Sequence, residues 1–196
     1  MSRSRCNITG VLIACLSMLS TQAYADEKTE ANGERAYDAT THVSSSKGMD
    51  ITSRTVCDGK GHKRLESKMP GGMTSVTIVD LPNKKTATII EQSKMVMLGK
   101  LGEGGPGDAG NVRKKVDVKA LGSKTIDGHP CKGESFTVGS NKYEVWTGTD
   151  IDYPVKTVVQ MDSATTTTEL KTFSTKQPAA ALFEVPKSGY KVVSTN

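Results

Sequence analysis

The sequence predicts a mainly β protein in which a large antiparallel sheet is accompanied by few short helices. Short segments rich in Thr, Val and Ile alternate apolar and polar residues along much of the chain, which is typical of strands with one buried face. Turn-forming residues separate these segments, as at 58–61, 70–72 and 82–84. One convincing helical segment is present, at 179–182 after Pro178. A sheet of so many neighbouring strands is expected to curl and to cover one apolar face.

The predicted strands begin with residues 49–57, where Met49, Ile51 and Cys57 share one face of the alternating pattern. A compact connection at 82–84 joins two later strands into a hairpin. The glycine-rich segment 101–111 has no hydrophobic period and is predicted to be a flexible surface loop. The remaining strands are predicted at 64–69, 74–81, 85–91, 94–98, 116–121, 125–126, 131–138, 142–147, 155–161 and 165–173.

The first 25 residues have the three parts of a cleavable secretory signal peptide. Arg3 and Arg5 supply the positive charge, residues 8–19 are predominantly apolar, and Ala23 and Ala25 are the small residues that precede a cleavage site. The apolar stretch is shorter than the roughly 20 residues that a membrane-spanning helix needs. We therefore expect an exported protein, periplasmic or secreted.

The predicted domain boundaries follow from this signal peptide. Residues 1–25 are the signal, residues 26–33 form a charged and flexible tail, and residues 34–196 form a single domain. The alternative is that residues 12–15 are a lipobox. Cys15 would then be lipidated, and the same domain would be anchored to a membrane as a lipoprotein.

The composition argues against a nucleic-acid partner. The formal net charge of +5 loses two units with the signal peptide, and aromatic residues make up 5% of the chain. The basic residues are spread along the sequence, whereas nucleic-acid binders concentrate positive charge and stacking side chains.

Two cysteines, Cys57 and Cys131, remain after the signal peptide is removed. An isolated pair in an oxidising compartment predicts a disulfide between them. The alternative is two buried apolar thiols. A metal site is not predicted, because His42, His62 and His129 have no second ligand at a recognisable spacing.

Catalytic and cofactor motifs lack the context that their chemistry needs. Residues 102–107 satisfy the string G-x-G-x-x-G, but the required strand before it and helix after it are not predicted. No sequence around a Ser or Cys positions a nucleophile and its base. We therefore predict a protein that is not an enzyme and uses no cofactor.

Methionines are the most suggestive side chains. Met95 and Met97 share one strand face, Met69 lies near a turn, and Met161 lies on a later strand. Methionine fills irregular cores and also adapts to varied ligands, so core filling and a hydrophobic pocket are both open. The predicted hydrophobic ligand-binding residues are Met69, Ile78, Ile89, Met95, Met97, Trp146 and Met161.

Four phrases in order along the chain resemble a family of bacterial envelope proteins. They are IVDLPNKK at 78–85, LGSKTIDGHPC at 121–131, EVWT at 144–147 and LFEVPKSGY at 182–190. Together they are similar to DUF4412-type proteins, which are related in fold to the LolA and LolB lipoprotein carriers. The resemblance implies a strongly curved antiparallel sheet, a half-open and incomplete β-barrel, as a single LolA-like domain.

The resemblance also implies a function. We expect a non-enzymatic periplasmic binding or carrier protein that holds a lipid, an acyl chain, a lipoprotein or another hydrophobic ligand on the concave face of its sheet. The alternative is a structural or protein-interaction module of the cell envelope without a small-molecule ligand.

Overall fold

A computed structural model describes residues 35–69, 71–101 and 117–194 of the protein. The predicted signal peptide 1–25, the tail 26–33, Cys15 and residues 102–111 of the predicted loop lie outside the described residues. The described residues form one twelve-stranded sheet and a single 3-10 helix, Ala180–Phe183. The strands are β1 (Ala36–Ser45), β2 (Asp50–Asp58), β3 (His62–Lys68), β4 (Thr74–Asp80), β5 (Lys85–Ile90), β6 (Met95–Lys100), β7 (Lys119–Ile126), β8 (His129–Val138), β9 (Asn141–Gly148), β10 (Tyr153–Met161), β11 (Ala164–Ser174) and β12 (Lys191–Ser194).

The strand order across the sheet is β12-β6-β5-β4-β3-β2-β1-β11-β10-β9-β8-β7. Neighbouring strands are antiparallel except at one edge, where β12 pairs in parallel with β6. The two edge strands, β12 and β7, do not pair with each other in the described part of the chain, so the sheet stays open. The prediction of a mainly β fold with a strongly curved, half-open antiparallel sheet is confirmed.

Three irregularities interrupt the pairing of the strands. They lie at Thr40–Thr41 where β1 meets β11, at Pro154 where β10 meets β9, and between Ala120 and Gly122 where β7 meets β8. A bulge bends its strand and increases the local twist, which helps a sheet to curve. Pro154 has no backbone N–H to donate, so its position at a bulge removes no regular ladder bond.

The turn between β7 and β8 consists of Asp127 and Gly128. Both have positive φ, 49° and 84°, as a type I′ turn requires. Aspartate tolerates this left-handed conformation better than most residues, and glycine adopts it without steric cost. The Asp-Gly dipeptide therefore fixes the register of this hairpin.

The larger of two main hydrophobic clusters, cluster 1, joins residues from six adjacent strands. Aromatic rings meet at its centre: the ring centroids of Tyr37 and Tyr153 are 5.3 Å apart, and those of Tyr153 and Phe173 are 5.1 Å apart. This side of the sheet is therefore filled by side chains. The buried members of cluster 1 are Tyr37, Ala39, Cys57, Cys131, Trp146, Tyr153, Val155 and Leu170.

The smaller cluster, cluster 2, lies on the opposite face of the sheet. Cross-strand partners share a face, and regular pairing connects Asp38 to Val56, Arg64 and Ile78 in turn. Tyr37 precedes Asp38 on β1 and therefore points to the other side. Cluster 2 consists of Val76, Ile78, Ala87, Ile89 and Val96, against which Leu98, Val185 and Tyr190 pack.

Residues 175–190, called here the C-terminal segment, cross the sheet face that carries cluster 2. Near β3, the Arg64 guanidinium donates a hydrogen bond to the Leu182 carbonyl at 3.0 Å. At the far end, the Tyr190 hydroxyl donates to Glu91 at 2.6 Å, and the Lys94 ammonium lies 5.1 Å from the centre of the Tyr190 ring. β12 then pairs with β6, so the segment is held near its middle and at its C-terminal end.

Several sequence expectations are refined by the structure. The sequence prediction missed β1, and the two strands predicted at 116–121 and 125–126 are one strand, β7. The short helix predicted at 179–182 is the 3-10 helix, one residue later. No helix within the described residues combines the length and the apolar composition that crossing a membrane would require.

Cys57 and Cys131 are buried and are not linked by a disulfide in the structure. They come from β2 and β8, and both are members of cluster 1 with at most 2% of their surface exposed. This arrangement matches the alternative hypothesis of two buried apolar thiols. The disulfide between Cys57 and Cys131 stays a prediction.

Candidate functional site

A cleft of about 710 Å³ lies between the sheet and the C-terminal segment. Its volume falls within the range of roughly 300–1,000 Å³ that is typical of small-molecule sites. Ile78, Ala87 and Leu98 line it from the sheet, and Phe183 and Val185 line it from the C-terminal segment. Two apolar surfaces, contributed by distant parts of the sequence, therefore face each other across the cleft.

The floor of the cleft follows from strand register. Ile78 pairs with Ala87, and Ala87 pairs with Leu98, so these three side chains stand side by side on one face of β4, β5 and β6. The methyl group of Ala87 is shorter than the side chains on either side, which leaves a depression between them. The next row along the strands, about 7 Å away, is formed by Val76, Ile89 and Val96.

Charged and polar side chains border the mouth of the cleft. The pairing of β3 to β6 places His62, Asp80, Lys85 and Lys100 in one row across the sheet. All four line the cleft, together with Lys60 from the turn between β2 and β3. The cleft is therefore amphipathic, with an apolar floor and a charged mouth.

The carboxylate of Asp58 is occupied by its own turn. It accepts hydrogen bonds from the backbone N–H of Lys60 at 2.7 Å and of His62 at 3.0 Å, and it contacts the His62 ring at 2.7 Å. Burial raises the pKa of Asp58, but these hydrogen bonds and the charge of His62 outweigh burial, so the pKa lies below its usual value. Asp58 is therefore an ionised structural group of the turn.

The carboxylate of Asp80 is occupied in a similar way. It accepts hydrogen bonds from the backbone N–H of Asn83 at 3.0 Å and from the Asn83 side-chain amide. The side-chain hydrogen bond from Asn83 is the main cause that lowers the pKa of Asp80. The His62 ring lies 3.8 Å away, between Asp80 and Asp58.

A network of ion pairs continues on the same face beside the cleft. Arg54 binds both carboxylate oxygens of Asp38, at 2.9 and 2.6 Å, and Arg64 binds Glu66 at 2.6 Å. The hydrogen bond to Asp38 is the main cause that raises the pKa of Arg54. Exposed pairs of this kind contribute little to stability, about 0–1 kcal/mol each. Their clearer role is to orient Arg64, which holds the carbonyl of Leu182 and thus the start of the cleft wall.

Of the predicted ligand-binding residues, the structure brings Ile78 and Ile89 together. Ile78 lines the cleft, and Ile89 belongs to the neighbouring row of cluster 2. Met95 and Met97 lie on the opposite face of β6, since their neighbours Val96 and Leu98 face cluster 2. Ligand binding by the seven residues stays a prediction.

The other three predicted residues lie elsewhere. Met69 is at the turn between β3 and β4, where its N–H donates to the Met73 carbonyl at 2.9 Å. Met161 ends β10 and is 37% exposed. Trp146 belongs to cluster 1, with its ring N–H bonded to Glu144 and the Lys124 ammonium 3.5 Å from its ring centre.

Sequence reasoning missed most of the cleft. Alternation along β5 and β6 could have assigned Ala87 and Leu98 to the same face as Ile78, because the period is regular there. The positions of Phe183 and Val185 had no local signal, since the C-terminal segment has no repeating structure. Within the residues that the structure describes, no three His, Cys, Asp or Glu side chains are grouped as metal ligands.

The fold and the cleft define a β protein in which one open, curved sheet is partly covered by a non-repetitive segment. The chain belongs to the family described as "Domain of unknown function (DUF4412)", which matches residues 52–153. The family predicted from the sequence phrases is therefore confirmed. No curated protein matches the sequence.

Solved structures with a similar fold share little sequence with this chain. MucB is 14% identical with a TM-score of 0.55, and the match covers 91% of this chain and 66% of MucB. For the MucA/MucB complex of Pseudomonas aeruginosa, the sequence identity is 14% and the TM-score is 0.56, and the match covers 86% of this chain and 61% of the matched chain. A LolA superfamily protein from Nitrosomonas europaea is 8% identical with a TM-score of 0.41, and the match covers 87% of this chain and 97% of that protein. The chain thus spans about two thirds of MucB, and the likeness to MucB concerns the fold alone.

Proposed function

We propose that the protein is an exported, non-enzymatic binding or carrier protein of the cell envelope that holds the hydrophobic part of a lipid or similar molecule. The observation that carries this proposal is the cleft between cluster 2 and the C-terminal segment. Apolar side chains line both its floor and its wall, and burial of apolar ligand surface there is worth about 25 cal/mol per Å². Such binding needs no catalytic constellation.

The C-terminal segment supports this proposal through its structure. It has one short 3-10 helix and is fixed by few polar contacts, among them the Arg64 bond to Leu182 near its middle and the Tyr190 bond to Glu91 at its C-terminal end. A segment with few internal hydrogen bonds can shift more easily than a strand of the sheet. It is therefore suited to admit a ligand without disruption of the sheet.

The proposal is tested by filling the cleft. Leu98→Trp places a larger side chain on the floor, and the neutral fluorophore N-phenyl-1-naphthylamine serves as the probe. Loss of about 55 Å² of apolar contact would cost roughly 1.4 kcal/mol, which corresponds to about tenfold weaker binding. Fluorescence titration measures the dissociation constant.

Met97→Trp is the matched control, because it introduces the same side chain at the adjacent position of β6, on the opposite face of the sheet. We expect this variant to bind the probe within about twofold of the parent protein. Circular dichroism and thermal unfolding verify that both variants are folded. The proposal fails if the parent protein binds no probe, or if the two variants lose affinity equally.

A protein-interaction role is the second candidate, and the edge strand β7 favours it. Seven of its eight residues are exposed, and it pairs on one side only, with β8, among the described residues. An open edge can accept a strand from another protein. MucB, whose fold is similar, has been solved in complex with MucA. If no probe enters the cleft, a partner at β7 becomes the better account.

A further inference from the structure

Three lysine side chains lie at the mouth of the cleft. Lys60, Lys85 and Lys100 all line the cleft, and none forms an ion pair with another described residue. Elsewhere on the surface, Lys94, Lys156 and Lys171 are each paired with a glutamate.

Lys85 and Lys100 are direct cross-strand partners on β5 and β6. Like charges in this relation destabilise a sheet. An anion placed between the two side chains would replace this repulsion by attraction to both. The register therefore places two lysines side by side where an anion could contact both.

Three carboxylates also line the mouth, and their hydrogen bonds do not remove their charge. Asp58 and Asp80 have lowered pKa values and are ionised, and Glu184 lies on the C-terminal segment. Asp80, on β4, is the cross-strand partner of Lys85. The positive charge is therefore local: it is concentrated at the β5–β6 end of the row, where Lys85 and Lys100 are neighbours.

We propose that the mouth of the cleft is a headgroup subsite for an anionic amphiphile, a molecule with an acyl chain and a carboxylate or phosphate head. The chain lies against Ile78, Ala87 and Leu98, and the anionic oxygens lie between Lys85 and Lys100, with Lys60 nearby. This inference rests on the proposed binding function and specifies its ligand class. Charge complementarity selects the anion, while the floor supplies most of the affinity.

Two probes that differ in charge alone test this inference. The fluorescent fatty acid 11-(dansylamino)undecanoic acid carries a carboxylate, and its methyl ester has the same chain and fluorophore without the charge. We expect the acid to bind about tenfold more tightly than the ester at low salt, because only the acid gains charge contacts with Lys85 and Lys100. Dansyl-labelled phosphatidic acid and phosphatidylcholine then distinguish a phosphate head from a carboxylate head.

The variant Lys85→Gln/Lys100→Gln removes the two charges from the mouth. Lys119→Gln/Lys132→Gln is the matched control, because it removes two exposed lysines from β7 and β8 at the other edge of the sheet. We expect the mouth variant to bind acid and ester equally and the control to keep the tenfold preference. Added salt should reduce the preference of the parent protein, since screening weakens exposed charge contacts.

The outcomes separate this inference from the proposed function. Equal binding of acid and ester by the parent protein overturns the headgroup subsite and leaves the apolar cleft intact. Equal loss of the preference in the mouth variant and in the control also overturns it, because net charge would then explain the result. If neither probe binds, the proposed function fails and the headgroup subsite fails with it.

Discussion

Trp146 and Gly133 show how single residues adjust the core around cluster 1. A Cβ atom at Gly133 would lie 2.6 Å from the Trp146 ring, closer than atoms can approach without movement. The absent side chain lets the ring lie against β8, where Lys124 covers its face. Trp146 is thus a core residue of this half of the sheet, and its hydrogen bond to Glu144 satisfies its N–H.

At the same scale, we predict that Cys57 and Cys131 form a disulfide in the exported protein. They lie on β2 and β8, and both are buried members of cluster 1. A bridge that closes so long a loop would raise the free energy of unfolding by about 4 kcal/mol on the chain-entropy model, less if it is strained. Peptide mapping without reductant should find the two cysteines in one linked fragment.

Alkylation after unfolding provides the control for this disulfide. In the folded protein both thiols are buried, and burial is the main cause that raises the pKa of Cys131, so slow labelling of native protein would not distinguish thiols from a disulfide. If both cysteines are alkylated in denaturant without reductant, the two groups are thiols and the prediction is wrong.

Individual residues were predictable from the sequence where local chemistry decides their place. The shared face of Ile51 and Cys57 follows from alternation, and both are buried. The Met95 and Met97 pair was correctly placed on one face, but alternation does not reveal which face meets the C-terminal segment. That choice depends on residues almost a hundred positions away, and no local pattern encodes it.

At the scale of elements, the turn between β2 and β3 makes stability depend on pH through Asp58. Its pKa is lower in the folded state than in the unfolded chain, so its stabilising effect is present above about pH 4 and is lost as the pH falls through the folded value. Asp58→Asn should lower the free energy of unfolding at pH 7 by about 1 kcal/mol, because the hydrogen bonds that the carboxylate accepts from Lys60 N–H and His62 N–H lose their charged acceptor.

Urea unfolding at pH 7 and at pH 3 measures this difference. The difference in free energy of unfolding between Asp58→Asn and the parent protein should be smaller at the lower pH, where Asp58 is increasingly protonated. Asp162→Asn, in the exposed turn before β11, is the control and should change stability little at either pH. A gap that is unchanged at pH 3 would show that the carboxylate charge is not the cause.

Elements differed in how well the sequence predicted them. Strands such as β4, β5 and β8 have clear alternation and turn residues at both ends, and they were found. β1 was missed because its inward residues include Ala39 and Thr41, which are weakly apolar although both are buried. β12 was missed because all four of its residues are exposed and its pairing with β6 is the only reason for its extended form.

For the whole molecule, the division into two clusters on opposite faces predicts two units of local stability. Cluster 1 has eight buried members and cluster 2 has five, and β3 between them has no buried residue. Strands that bury fewer apolar residues open at lower free energy. We therefore expect amides of β4–β6 to exchange with solvent at a free energy about 1–2 kcal/mol below those of β1, β10 and β11.

Native-state hydrogen exchange with mass spectrometry measures these opening energies strand by strand. A ligand in the cleft should raise the opening free energy of β4–β6 and leave that of β10 and β11 unchanged, because a ligand stabilises the part of the structure to which it binds. Equal opening energies in both groups of strands would show that the sheet is a single cooperative unit, contrary to this prediction.

The parallel pairing of β12 with β6 makes the cleft depend on a contact between distant parts of the chain. The partners Lys191 and Met95 are nearly a hundred residues apart in the sequence, and the pairing of β1 with β11 closes a longer loop still. The sheet and cluster 1 do not need the C-terminal segment, whereas the cleft exists only where that segment crosses cluster 2. A protease that removed this segment would therefore abolish the cleft and leave most of the sheet folded.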